Sequence, residues 1–200
     1  MNPSRFFKTL CLISCIFFLG MFQGAEAGYK EGLEAYGRKD YVTALKEWKP
    51  LAEQGDAIAQ FNLGLMYRKG QGVPRYYKEA VKWYRKAAEQ GNAEGQYSLG
   101  GMYEFGWGIF KDYKKAVGWY RKASEQGNAK AQIGLGGMYR RGFGVPKDYV
   151  QAHMWFNISA VRGKNKWAEF WRYSVEKKMT PSQVSEAQRL ARKWMRKHLQ

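Results

Sequence analysis

Cysteine is almost absent: Cys11 and Cys15 are the only two in 200 residues, and both fall within the first 27. A chain that loses that stretch has no disulfide, no thiol nucleophile and no cysteine metal site, so its stability comes from packing. Histidine is as scarce. His153 and His198 stand too far apart for an HExxH-type zinc site and make no obvious catalytic pair; His153 is expected on a helix surface. Acidic residues are half as many as basic ones, 17 against 34, for a net charge of +17. Long hydrophobic runs are missing too, since the longest, Leu10 to Phe22, falls short of the roughly 18 apolar residues that span a bilayer. No metal or cofactor is expected, and 200 residues suit one domain.

What stands at the start of the chain is a leader. Arg5 and Lys8 precede the apolar run, and Ala25-Glu26-Ala27 follows it as a small-x-small cleavage site. Residues 1–27 are therefore expected to be a signal peptide, with the mature protein periplasmic or secreted. A second reading is open. Leu12-Ile13-Ser14-Cys15 resembles a bacterial lipobox, which would leave a lipoprotein anchored at Cys15, although the apolar run continues seven residues past it. Loss of Arg5, Lys8 and Glu26 leaves 32 basic residues against 16 acidic ones, and eleven of the basic residues against three acidic ones lie between Tyr149 and Gln200. Such a field favours anionic partners: acidic proteins, lipid headgroups or cell-wall polymers. Export makes nucleic acid the least favoured.

Three stretches, 57–92, 93–128 and 129–164, superpose without gaps at a period of 36. Leu63-Gly64, Leu99-Gly100 and Leu135-Gly136 coincide, as do Met66-Tyr67, Met102-Tyr103 and Met138-Tyr139. Gly70-x-Gly72 and its copies align next, then Ala80, Ala116 and Ala152, then Trp83-Tyr84, Trp119-Tyr120 and Trp155-Phe156, with Gly91, Gly127 and Gly163 closing each unit. Each unit reads as two helices. The first is expected from Ala57 to about Lys69, capped by Asp56, Asn92 or Asn128. A Gly-x-Gly turn ends it, because glycine takes positive φ without a steric penalty. The second opens near Asp112 or Asp148 and stops at a glycine in the left-handed C′ position. In the 57–92 unit, Tyr76 takes the place of that capping aspartate.

The run Ala-x-Ala-x-x-x-Leu-Gly-x-Met-Tyr-x-x-Gly-x-Gly-Val-x-x-Asp-Tyr-x-x-Ala-x-x-Trp-Tyr resembles the Sel1-like repeat, a relative of the tetratricopeptide repeat. The likeness covers Gly28 to Gln200, with an incomplete opening unit at 28–56 and a C-terminal capping segment at 165–200. It implies an all-α chain folded as a right-handed α/α solenoid, used as a protein-interaction scaffold or adaptor, often in bacterial envelopes. It departs from the pattern at Tyr76, and at Phe110 where Pro74 and Pro146 stand in the other units.

Catalytic signals are thin. Ser174-x-x-Lys177 fits the serine–lysine motif of penicillin-recognising enzymes, but neither Ser-Asp-Asn nor Lys-Thr-Gly accompanies it. Glu94, Glu104 and Glu125 read as solvated helix charges in place of a paired-carboxylate site. Asn157-Ile158-Ser159 has the form of a glycosylation sequon inside an expected helix. The chain is expected not to be an enzyme, with a weak cell-wall or β-lactam hydrolase as the catalytic alternative.

Positions that vary between units are those the fold leaves free. On the first helices these are Ile58, Asn62, Leu65 and Lys69, then Glu94, Ser98, Gly101 and Phe105, then Lys130, Gly134, Gly137 and Arg141, each set on one helical face. In related superhelices the first helices line the concave side, so the stripe is either a partner groove or plain solvated surface. Trp107, Phe110 and Phe143 in the following turns are candidate contact anchors. The tail is the second candidate. Thr180, Pro181 and Gln183 form a capping box, after which Val184, Ala187, Ala191, Trp194 and Met195 share one face and Arg189, Arg192, Lys193, Arg196 and Lys197 the other. That helix either caps the array or offers its basic side to an anionic membrane surface, a cell-wall polymer or an acidic protein. The favoured partner is a protein or peptide of acidic character.

Cleavage after Ala27 predicts an intact mass for the exported protein that begins at Gly28. A lipidated Cys15, or an uncut chain in the soluble exported fraction, refutes that boundary.

Overall fold

The computed structural model describes residues 26–198, which form ten helices and no strand. The expected signal segment thus lies almost wholly outside the described residues. After α1 (26–37) come α2 (Tyr41–Glu53), α3 (Ala57–Lys69), α4 (Tyr77–Glu89), α5 (Ala93–Phe105), α6 (Tyr113–Glu125), α7 (Ala129–Arg141), α8 (Tyr149–Gly163), α9 (Lys166–Glu176) and α10 (Pro181–His198). The class is all-α with repeated helix pairs, as the periodicity requires. Contacts divide the chain between Arg75 and Tyr76 into two compact units where one domain was expected. In a repeat array each element touches chiefly its neighbours, so internal boundaries follow naturally.

In the N-terminal unit, α2 packs on α3 around Ala44, Trp48, Leu51, Ala59, Leu63 and Met66, all buried. Trp48 donates its indole N–H to the Tyr29 carbonyl at 3.3 Å. In the C-terminal unit α5 packs on α6 and α7 on α8, while α8 also receives α9 and α10. Ala80, Ala116 and Ala152 are fully buried, and Tyr84, Tyr120 and Phe156 nearly so. The Tyr120 and Phe156 rings lie flush on Gly100 and Gly136, where a Cβ would stand 2.7 Å from ring carbon.

Two corners repeat. Between a second helix and the next first helix, Gly55, Gly91 and Gly127 adopt positive φ, and Asp56, Asn92 or Asn128 then caps the new helix through its side-chain oxygen. Buried Gln60, Gln96 and Gln132 reach back from that helix to donate to the carbonyls of Ala52, Ala88 and Ser124 at 3.0, 3.2 and 3.3 Å. These satisfy carbonyls that a helix end leaves without an intrahelical partner. The other corner is the Gly-x-Gly turn. Gly108 has φ +69, and a Cβ there would stand 2.4 Å from the Tyr77 carbonyl carbon, so glycine is demanded both by conformation and by space.

Two expectations need correction. The third unit does not close at Gly163: α8 runs through it, Lys164 takes the left-handed conformation at φ +44, and Asn165 caps α9 one residue later than the period places it. His153 is not on the surface but 1% exposed. Its Nε2 lies 3.3 Å from Glu176 Oε2 on α9, a tertiary contact that the α8 sequence pattern does not reveal. Capping by Asp40, Asp112 and Asp148 appears as expected, each accepting an N–H from three residues on.

Tyr76 occupies the cap position of α4, makes no side-chain cap bond, and is 52% exposed. Tyr76→Asp should stabilise the protein by roughly 0.5–1 kcal/mol through a restored cap and a favourable dipole contact. A lower denaturation midpoint would contradict this. For His153, burial lowers the pKa from its usual 6.5, with Glu176 opposing. The folded state then binds fewer protons than the unfolded one. Stability is therefore full above about 6.5 and declines as pH falls through the lower folded value. Melting temperature should drop as pH falls below about 6.5, and His153→Gln should flatten that decline; an unchanged slope would assign it to other groups.

Candidate functional site

On α3, Ile58 and Lys69 are exposed and Asn62 and Leu65 half-buried. The Lys69 ammonium is not idle, since it donates to Tyr36 Oη at 3.4 Å. On α5, Glu94, Ser98 and Gly101 are half-buried and Phe105 is exposed; on α7, Lys130 and Arg141 are exposed and Gly134 and Gly137 half-buried. The structure brings the α5 and α7 sets together. Lys130 Nζ lies 3.6 Å from Glu94 Oε2, and Asn128 donates to Glu94 Oε1 at 2.8 Å. At the other end Arg141 donates to Glu104 Oε1 at 2.6 Å.

The stripe opens into a cavity where α7 carries no side chains. Gly134 and Gly137 stand at positions that hold Asn62 and Leu65 in α3, and the space they leave is a cavity of about 230 Å³. Ile133, Phe156 and Trp171 supply apolar walls from α7, α8 and α9, while Glu104, Arg140 and Arg141 supply charge.

Glu104 is buried, contrary to its reading as a solvated helix charge. Its second oxygen accepts from the Tyr120 hydroxyl at 2.7 Å. Burial, and then the Glu104 charge, push the Tyr120 pKa far above its ordinary value, so that phenol remains a donor. Arg141 is correspondingly not a free groove cation. Besides Glu104 it donates from Nε to the Gly137 carbonyl at 3.2 Å and stacks its guanidinium 4.8 Å from the Phe143 ring centroid. The neighbouring Arg140 is less committed. Its guanidinium lies 4.4 Å from the Trp171 ring centroid, and its Nε is buried with no partner among the described residues. Arg140, Glu104 and Trp171 were not among the sequence candidates. A signal existed for two of them, because Arg68, Glu104 and Arg140 occupy one repeat position with reversed charge in the middle unit. Trp171 lies beyond the 36-residue register and has no copy to compare.

The turn aromatics are only partly bare. Trp107 is sandwiched between Tyr77, at 5.8 Å, and Phe105, at 4.9 Å. Phe143 stacks on Tyr113 at 4.6 Å. Both rings therefore tie the turn to the first residue of the preceding second helix, and only Phe110, 95% exposed, stands free of such stacking. In the tail, Thr180 and Gln183 exchange the two bonds of the capping box at 2.9 and 3.3 Å, and Ala187 and Ala191 are buried. Arg189, Arg192, Lys193, Arg196 and Lys197 are all exposed, with Arg189 bound to Glu186 at 2.7 Å. Trp194 is held between Trp155 at 5.7 Å and His198 at 4.0 Å.

Of the Ser174-x-x-Lys177 pair, the Lys177 ammonium lies 4.4 Å from the Tyr173 ring centroid. The sequon serine, Ser159, is fully buried in α8 and donates to the Ala129 carbonyl. Among the described residues no cluster of histidine, cysteine, aspartate and glutamate could hold a metal, and no helix is long and apolar enough to cross a membrane.

Comparison with known proteins places these features in a family. The Sel1 repeat model matches residues 57–92, 93–128 and 129–163. A solved structure of a protective antigen present in uropathogenic Escherichia coli strains, described as displaying an SLR fold, is 31% identical with a TM-score of 0.63, over 92% of this chain and 48% of that one. This chain thus spans about half the length of that relative. The structure of a Sel1 repeat protein from Oxalobacter formigenes is 38% identical with a TM-score of 0.59, over 66% of this chain and 98% of that one. No curated protein sequence matches. Three consecutive repeat matches over more than half of the chain, with the shared fold at this identity, show that it belongs to the Sel1 repeat family.

Proposed function

We propose that this chain is a non-catalytic scaffold of the bacterial cell envelope that holds an acidic or amphipathic protein segment along α5 and α7. Sel1 repeat proteins are generally protein-interaction scaffolds, and that coarser role follows from family membership. The observation that carries the finer reading is the cavity at Gly134 and Gly137, with apolar walls from Ile133, Phe156 and Trp171 and edged by Arg140, whose buried Nε lacks a partner among the described residues. An unpaired buried donor favours a ligand that supplies an acceptor. A partner carboxylate can meet Arg140 while the adjoining apolar side chain fills the space against Ile133 and Phe156, and Phe105, 52% exposed, offers a second anchor. The export leader read from residues 1–27 supports the envelope location.

The test begins with affinity purification from the native envelope and continues with titration of the recovered partner. Phe105→Ala should weaken binding by at least ~1 kcal/mol with helicity unchanged, and Arg140→Ala by a similar amount or more. Arg196→Ala in the tail should do little beyond slowing association. Unchanged affinity in the first two variants, with a large loss in the third, would move the site to the basic tail.

A further inference from the structure

The C-terminal unit carries a second surface that the groove reading does not use. Four of its large hydrophobic side chains lie open to solvent within thirteen residues: Val161 at the end of α8, 56% exposed, and Trp167, Phe170 and Tyr173 on α9, 71%, 56% and 60% exposed. The helix itself explains why they are bare. Ala168 and Val175 are its buried residues, and Trp171 and Arg172 sit on the same side, Arg172 bonded to Asn157 of α8. At 100° per residue the opposite side collects Lys166, Phe170, Tyr173 and Lys177, with Trp167 at one edge and Glu169 at the other. An ordinary surface helix is charged there, whereas this one alternates aromatic rings with lysines.

The charge near these rings in sequence is mostly positive. Arg162, Lys164, Lys166, Lys177 and Lys178 are exposed, against one exposed acid of α9, Glu169, while Glu176 is drawn toward His153. A second copy of the chain is a poor occupant, because a two-fold contact through this face would set the same lysines against one another. The tail helix α10 differs in kind. It has exposed cations, but its tryptophan is covered by Trp155, Arg162 and His198, so it offers charge without exposed aromatic surface. Rings with an apolar body beside lysines on one helix face suit the headgroup level of a bilayer, where aromatics enter the boundary and ammonium groups meet lipid phosphates.

We propose that this α9 face, with Val161, docks peripherally on an anionic lipid bilayer, independently of the groove. The test uses the processed chain, its leader verified absent by mass, in co-sedimentation with vesicles of phosphatidylcholine alone and of phosphatidylcholine with one quarter phosphatidylglycerol. Binding is expected to the anionic vesicles, weak to the neutral ones, and to decline with salt. The variant carrying Trp167→Ala, Phe170→Ala and Tyr173→Ala removes three exposed rings, of which Phe170 also packs edge-on against Trp171 at 5.1 Å; with circular dichroism unaltered, its partition coefficient should drop at least ~10-fold. Arg192→Ala with Arg196→Ala should change it by less. Absence of binding to anionic vesicles overturns the proposal, as does a partition undiminished in the triple variant. A dimer in solution that the triple variant abolishes would also overturn it, by assigning the face to a second copy.

Discussion

A buried glutamine at the fourth residue of each first helix sets the geometry on which the array depends. Gln60, Gln96 and Gln132 each donate across a corner to a carbonyl near the end of the preceding helix. The corner chain bends through a left-handed glycine, and a capping Asp or Asn accepts the N–H of the third residue of the new helix. Helix ends leave unpaired polar groups, and inside a packed array water cannot reach them all. One side chain therefore fixes both the hydrogen-bond balance and the direction in which the next helix departs. The alanines, methionines and rings of the core then meet at constant spacing, which frees the varying positions to differ.

That freedom is what makes a site possible. Glycines at 134 and 137 remove side chains from a surface that the repeat holds in place, and the cavity that results is walled by residues from four helices. The charges around it are not equivalent. Glu104, itself buried, is held between the Tyr120 hydroxyl and the more exposed Arg141, an ion pair that links α5 to α7. Arg140 stacks on Trp171, and its Nε is buried without a partner among the described residues.

The end of the array is handled differently from its middle. The register slips by one residue at Lys164, α10 buries Ala187 and Ala191, and α9 faces solvent with aromatic rings in place of a polar surface.

Helix pairs, caps, turn glycines and the alanine and aromatic core were legible in the sequence, because each is a local demand repeated at a period of 36 and repetition exposes it. Asp112 and Asp148 as caps and Thr180 with Gln183 as a capping box needed only their neighbours in the chain. Tertiary structure decided what depends on partners distant in sequence: that Glu104 and His153 are buried, that Arg141 is spoken for, that Trp107 and Phe143 stack on tyrosines of the preceding helix, and that Arg140 and Trp171 meet at a cavity. Periodicity places a residue on a face of its own helix. Which side chains oppose that face depends on how the next helices approach, and only packing in three dimensions fixes that.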